Sequence, residues 1–189
     1  MSDVFDATDA LVAFGFELGV LKRVRRAGWW QAGVRDPESV AEHTMRTAQL
    51  AALIAAQEGA SPERASFLAL WHDTQETRTG DLPHTAAPYL AKPDPRAITA
   101  DQTAGLPGAA RAVVRAAVGE YEDRESPESR CAKDADKLEM LLQALEYRDL
   151  GASSVDEWLA SGRRDLYTGT ARELAAAALE LSPLAWRRR

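Results

Sequence analysis

The chain has 189 residues, 46% apolar and 28% charged, the balance of one globular domain with a sizeable core. Its net charge of −6 argues against a nucleic-acid polymer as standing partner, because such binders carry broadly basic surfaces, but leaves room for a local positive cluster around a small phosphorylated ligand. Cys131 is the only cysteine, no 18 apolar residues run together and no basic-then-apolar leader is visible, so the expectation is a cytoplasmic protein without disulfide, membrane span or signal peptide.

Apolar residues recur at three- and four-residue spacing and alternating β-branched stretches are almost absent, so the expected fold class is all-α. A first helix is expected from about Asp6 to Leu21. The second starts near Pro37-Glu38-Ser39 and runs to about Gln57, before Gly59. Ser61 and Pro62 read as N-cap and first helical residue of a third, which should reach about Thr77 and stop before Gly80. Five prolines (Pro83, Pro88, Pro93, Pro95 and Pro107) forbid a long helix between residues 80 and 107, where loop and short helices are expected. An irregular stretch of that length is more often functional than idle. Helices resume at about Gly108 to Glu120 and again from Ser126-Pro127 to about Leu150. Ser154-Val155-Asp156-Glu157 and Thr170-Ala171-Arg172-Glu173 read as capping boxes opening two more. The tail Trp186-Arg187-Arg188-Arg189 is expected to fray. No repeat or linker divides the chain, so a single domain over residues 1–189 is expected, with its core between about 10 and 170.

The chemistry begins at His72-Asp73, which ends the apolar run Ala65 to Trp71. Two ionisable groups at the end of such a run are costly to bury unless something compensates them, and a divalent cation would. His43 shares its helix face with Val40, Thr47, Leu50 and Ile54, so it points inward. One inward histidine is commonly a hydrogen-bonded core residue. Two of them beside an aspartate favour a metal. For a fourth ligand the helix from Ser126 to Leu150 offers Asp134, Asp136 and Glu139, and its leucine face leans toward Asp134. Glu76 lies four residues after His72 and three after Asp73, on the same helical side, where it could accept a proton from an attacking water. Lys22, Arg23, Arg25 and Arg26 form a basic cluster after the first helix, suited to a phosphate. Cys131, on a face with Leu138 and Leu142, reads as a small core residue.

His43, the pair His72-Asp73 and the aspartate of Ala135-Asp136-Lys137-Leu138-Glu139 resemble the signature of the HD-domain metal-dependent phosphohydrolase superfamily. Leu21-Lys22-Arg23-Val24, Gly28-Trp29, Pro37 to His43, Gly80-Asp81-Leu82-Pro83 and Leu145-Glu146-Tyr147 are similar to its 5′-deoxynucleotidase branch. The resemblance implies a compact HD-domain helical bundle with the metal site between central helices. It names His43, His72, Asp73 and Asp136 as ligands of one divalent ion (Mn, Co, Fe, Ni or Mg) and leaves Asp134 a supporting or surface role. It implies Glu76 and Asp81 as catalytic acids, and Arg23, Arg26 and Trp29 as substrate contacts, with Trp29 packing on sugar or base. Relatives with an arginine directly before this tryptophan differ from this chain, which has Gly28. His84 inherits no role. The implied activity is cleavage of nucleoside 5′-monophosphates, most readily deoxyribonucleotides, to nucleoside and phosphate by a homodimer. The alternatives are an HD-domain nucleoside di- or triphosphate hydrolase and a non-catalytic HD-like binding module.

Overall fold

The computed structural model describes residues 6–91 and 94–188. Expectations that fell on residues 1–5, on Pro93 and on Arg189 lie outside the described residues. The only β-type pairing among the described residues is an isolated bridge between Arg25 and Ser39. No helix among them is long and apolar enough to cross a membrane.

Helix α1 (Ala7–Leu18) starts where the Asp6 carboxylate accepts the amides of Thr8 and Asp9, and a 3-10 turn, Gly19–Lys22, continues it. A single turn, α2 (Gly28–Gln31), precedes α3 (Val40–Glu58). Ser39 and Glu42 form a reciprocal capping box at the start of α3, and Gly59, at φ 73°, ends it in the left-handed conformation that glycine adopts without strain. Ser61 caps α4 (Pro62–Trp71), Asp94 caps α6 (Pro95–Gln102) and Ser126 caps α8 (Pro127–Asp149), each followed directly by proline. Between them lie the one-turn α5 (Glu76–Thr79) and α7 (Gly108–Asp123). The chain closes with α9 (Asp156–Ser161), α10 (Gly169–Glu180) and a 3-10 turn, Ala185–Arg188.

Helix α3 packs along both α4 and α8, and these three form the centre. Their contacting faces are rich in alanine: Ala48, Ala51 and Ala55 on α3, Ala65 and Ala69 on α4, Ala132, Ala135 and Ala144 on α8, all buried. Small side chains let the backbones approach closely. Ile54, Leu68 and Leu141 fill the remaining space, each contributing about 1.5–3 kcal/mol on full burial. Cys131 is buried in the same core. The end of α9 rides on α8: a Cβ at Gly162 would stand 2.8 Å from the Leu141 Cβ and 3.0 Å from the Lys137 carbonyl oxygen. Gly162→Ala should therefore destabilise the fold by about 1–3 kcal/mol in urea unfolding. An unchanged midpoint would show that this contact yields freely.

Several expected boundaries need correction. The third helix stops at Trp71 instead of reaching Thr77. The His72 ring Nδ1 takes the Ala69 carbonyl at 2.6 Å, the acceptor a continuing helix would give to the Asp73 amide. Tighter turns follow, Thr74 N to Trp71 O at 3.3 Å and Glu76 N to Asp73 O at 3.0 Å. Neither expected capping box forms. Val155 caps α9 without a side-chain bond, its own side chain wholly buried. Helix α10 is capped two residues early by Thr168, which Asp134 grips at its amide and hydroxyl, both 2.8 Å. The tail takes a 3-10 turn over Ala185–Arg188.

Candidate metal centre

The close packing of α3, α4 and α8 gathers His43, His72 and Asp73, whose ligand atoms lie within 4.8 Å of one another, with Asp136 beside the two histidines. His43 Nε2 lies 3.3 Å from Asp136 Oδ1 and 3.7 Å from Asp73 Oδ2. His72 Nε2 lies 2.9 Å from Asp73 Oδ2 and 3.9 Å from Asp136 Oδ1. Both Nε2 atoms are buried, and neither makes an aligned hydrogen bond. Donors about 2.1 Å from one ion stand about 3 Å apart when adjacent, so two orphaned nitrogens facing two carboxylates fit a divalent cation. The other ring nitrogens are committed: His43 Nδ1 to Glu139 at 2.5 Å, His72 Nδ1 to the Ala69 carbonyl. Asp136 Oδ2 accepts from Lys133 Nζ at 2.7 Å and Tyr121 OH at 3.2 Å, which leaves Oδ1 for the imidazoles.

The charges follow from this geometry. Burial and Arg26 oppose a proton on His43, but Asp136 and Glu139 outweigh them and raise it to about 9. Burial would raise Asp73, yet His72 and then His43 hold it at about 2. Asp136, also buried, is kept well below the usual carboxylate range, first by Lys133 and then by the two histidines. Burial pushes Glu76 up to about 10, with Asp73, Asp81 and Asp136 adding repulsion, and its buried Oε2 has no partner. Arg26 is held protonated against its burial first by Asp81, its ion-pair partner at 3.3 Å, and further by the charges of Asp73, Glu76 and Asp136. Asp81 accepts the Ala27 amide at 2.6 Å on one oxygen and Arg26 Nη1 at 3.3 Å on the other. The proline-rich stretch folds over this side. Glu76, Leu82, His84, Leu90 and Ile98 line a cavity of about 340 Å³ beside it.

The HD domain family matches residues 18–178 of this sequence. The chain belongs to the HD-domain family. It is 34% identical over 146 residues to 5′-deoxynucleotidase HDDC2 of Danio rerio, covering 75% of this chain and 72% of that protein. Against 5′-deoxynucleotidase HDDC2 of Homo sapiens it is 37% identical over 143 residues, 75% and 70% of the two chains. Among solved structures it is similar to a predicted metal-dependent phosphohydrolase from Magnetospirillum magnetotacticum. The TM-score is 0.68 at 25% identity, over 96% of this chain and 94% of that one.

Within this HD-domain chain the expected substrate residues separate. Arg26 stays beside the acids. Arg23 is exposed, and no hydrogen bond or ion pair ties it to the site among the described residues. The stacking role expected of Trp29 is corrected: its ring is 1% exposed, stacked on Trp158 and edge-on to Tyr147, with Nε1 donating to Glu38 at 3.0 Å. No open face remains for a sugar or base. Gly28 is explained by the same packing, since a Cβ there would meet Trp158 Nε1 at 3.2 Å. Asp134 is fully buried away from the histidines, its oxygens taken by the Tyr167 amide at 2.9 Å and by Thr168. The leucine pattern on α8 read its burial correctly but not its partners. Lys133, Tyr121 and Arg46 were not foreseen as site neighbours, and Glu139, one of the three acids offered as a fourth ligand, stands behind His43 at Nδ1. Three-residue spacing, Lys133 to Asp136 to Glu139 and His43 to Arg46, was the available signal.

Proposed function

We propose that this HD-domain chain is a single-domain, metal-dependent phosphomonoesterase. It cleaves nucleoside 5′-monophosphates, deoxyribonucleotides among them, to nucleoside and inorganic phosphate. The observation that carries this reading is the pair of orphaned imidazole nitrogens facing Asp73 and Asp136, with Glu76 and Arg26 near enough to feel the charge of both aspartates. His43, His72, Asp73 and Asp136 would hold one ion, and the mixed nitrogen and oxygen set suits Mn, Co, Fe or Ni at least as well as Mg. A divalent ion held there would polarise a phosphoryl oxygen and acidify water. Arg26 binds the phosphate, Asp81 holds Arg26 in place, and Glu76 takes the proton of the attacking water. The bond from phosphorus to the 5′ oxygen breaks, and that oxygen leaves with the electron pair and gains a proton from solvent. The cavity beside Glu76 is large enough for the nucleoside. A homodimer in the cytoplasm completes the reading, and sedimentation analysis checks the dimer.

The test is phosphate release from nucleotides, mono- against triphosphate and ribo- against deoxyribo-, with the metal varied. Preference for triphosphates, with pyrophosphate or tripolyphosphate released, moves the protein to the nucleoside triphosphate hydrolase reading. No release from any of them leaves a binding module. Arg26→Ala removes a charged hydrogen-bonding partner worth about 1.5–3 kcal/mol. The Michaelis constant for a monophosphate should rise about 10- to 150-fold, while Arg23→Ala should change it far less. Equal effects of the two would place the phosphate elsewhere along the basic cluster.

A further inference from the structure

The Glu139 carboxylate has no part in the functional reading above, yet it is wholly buried, and a buried charge is strongly destabilising unless paired. Its partners are well defined. Oε2 accepts His43 Nδ1 at 2.5 Å, and Oε1 accepts Arg46 Nε at 2.9 Å and Nη2 at 2.7 Å. Arg46 is fixed in turn by both oxygens of Glu146, at 2.8 and 2.9 Å, and by Gln143 Oε1 at 2.7 Å. His43 and Arg46 are three apart on α3. Glu139, Gln143 and Glu146 follow at four- and three-residue steps on α8. The network is thus one continuous seam between the two central helices. It leads from the protein surface to the back of one imidazole.

We propose that Glu139, clamped by Arg46, is a positioning residue that fixes the His43 tautomer and aims its Nε2 at the metal position. A carboxylate can only accept, so Nδ1 of His43 must carry the ring proton and Nε2 is left with its lone pair when the imidazole is neutral. Glu139 meets His43 on the ring edge opposite Asp73 and Asp136, so it cannot be a ligand beside them. His72 reaches the same tautomer by a different device, donating Nδ1–H to the neutral Ala69 carbonyl. The two histidines are therefore unequal. An anion behind His43 makes that nitrogen the stronger donor, and outer partners of this kind typically change metal affinity 10–100-fold. Glu38 stands on the same side of His43, within 4.8 Å, with its Oε1 accepting the Trp29 indole N–H, and the hydrogen bond at Nδ1 belongs to Glu139.

The inference rests on the metal-site reading above, and the experiment separates the two. The chain contains three histidines, so ring nitrogens can be assigned in protein labelled with ¹⁵N-histidine and loaded with diamagnetic Zn²⁺. In the wild type the His43 proton should sit on Nδ1, in a strong hydrogen bond, with Nε2 bound to zinc. Glu139→Gln should weaken that hydrogen bond and lower Zn²⁺ affinity by calorimetry about 10- to 100-fold. Arg46 is partly exposed, so Arg46→Gln is the safer variant if Glu139→Gln does not fold, and it should give a smaller loss in the same direction. Melting of the metal-free protein serves as the contrast. A lower melting point with Zn²⁺ affinity within twofold of wild type would make Glu139 merely structural and overturn the proposal. So would a ring proton found on Nε2. Absence of any Zn²⁺ binding by the wild type would instead bring down the metal-site reading, and this inference with it.

Discussion

Asp136→Ala is expected to deprive the protein of its metal and to reduce nucleotide hydrolysis to background, with helical circular dichroism little changed. Asp136 Oδ1 is the carboxylate atom 3.3 Å from His43 Nε2, and Lys133 and Tyr121 hold the other oxygen so that this one faces inward. Without it a cation loses one of four protein donors and one negative charge, and the half-buried Lys133 loses its carboxylate acceptor. The helix itself does not depend on the residue, because α8 is anchored by Leu138, Leu141 and its alanines. Asp134→Ala is the matched control from the same helix. It should keep the metal and lose about 3 kcal/mol or more of stability, since it strips the acceptor from two amides and a hydroxyl at the entry to α10. Metal analysis of the two purified variants decides the assignment. Stoichiometric metal in Asp136→Ala with none in Asp134→Ala would reverse the fourth ligand.

That pair also shows what was legible in the sequence. Period and caps located the long helices well, because Ser39, Ser61 and Ser126 are local signals that the fold leaves intact. Period could say that Asp134 is buried, but not that it faces the 167–168 turn, which lies 33 residues away and is brought there by tertiary packing. The same limit explains Trp29. Its neighbours Tyr147 and Trp158 come from distant parts of the chain, and only their convergence turns an aromatic near a basic cluster into a packing element. The early end of α4 was hidden for another reason: the competing hydrogen bond comes from the His72 ring itself, which a hydrophobic pattern does not weigh. The four-residue metal cluster rested on the HD-domain resemblance, since periodicity alone leaned to Asp134, whose oxygens the fold gives to the amides of Tyr167 and Thr168.

Glu76→Gln is expected to lower turnover by ~10²- to 10⁴-fold while metal content and the Michaelis constant stay near normal. The helix expected to carry Glu76 past His72 is broken, yet the turn at residues 72–75 still delivers the side chain to the site, through the Glu76 amide bond to Asp73 O at 3.0 Å. Thr77 and Arg78 then hold α5 down by hydrogen bonds to Glu17 at 3.1 and 2.7 Å. The carboxyl is buried, its Oε2 has no protein partner, and burial with Asp73, Asp81 and Asp136 raises it to about 10, so without a cation it is protonated at neutral pH. A divalent charge among those same carboxylates opposes their field and favours the ionised form, the one able to take a proton. Glutamine keeps the shape and the acceptor oxygen but cannot accept that proton, so the loss should fall on kcat alone. The measurement is kcat and KM on a deoxynucleoside 5′-monophosphate, with metal quantified in the same preparation. Near-normal turnover in metal-replete Glu76→Gln would take the proton transfer away from this residue. A raised KM with unchanged kcat would make Glu76 a substrate contact instead.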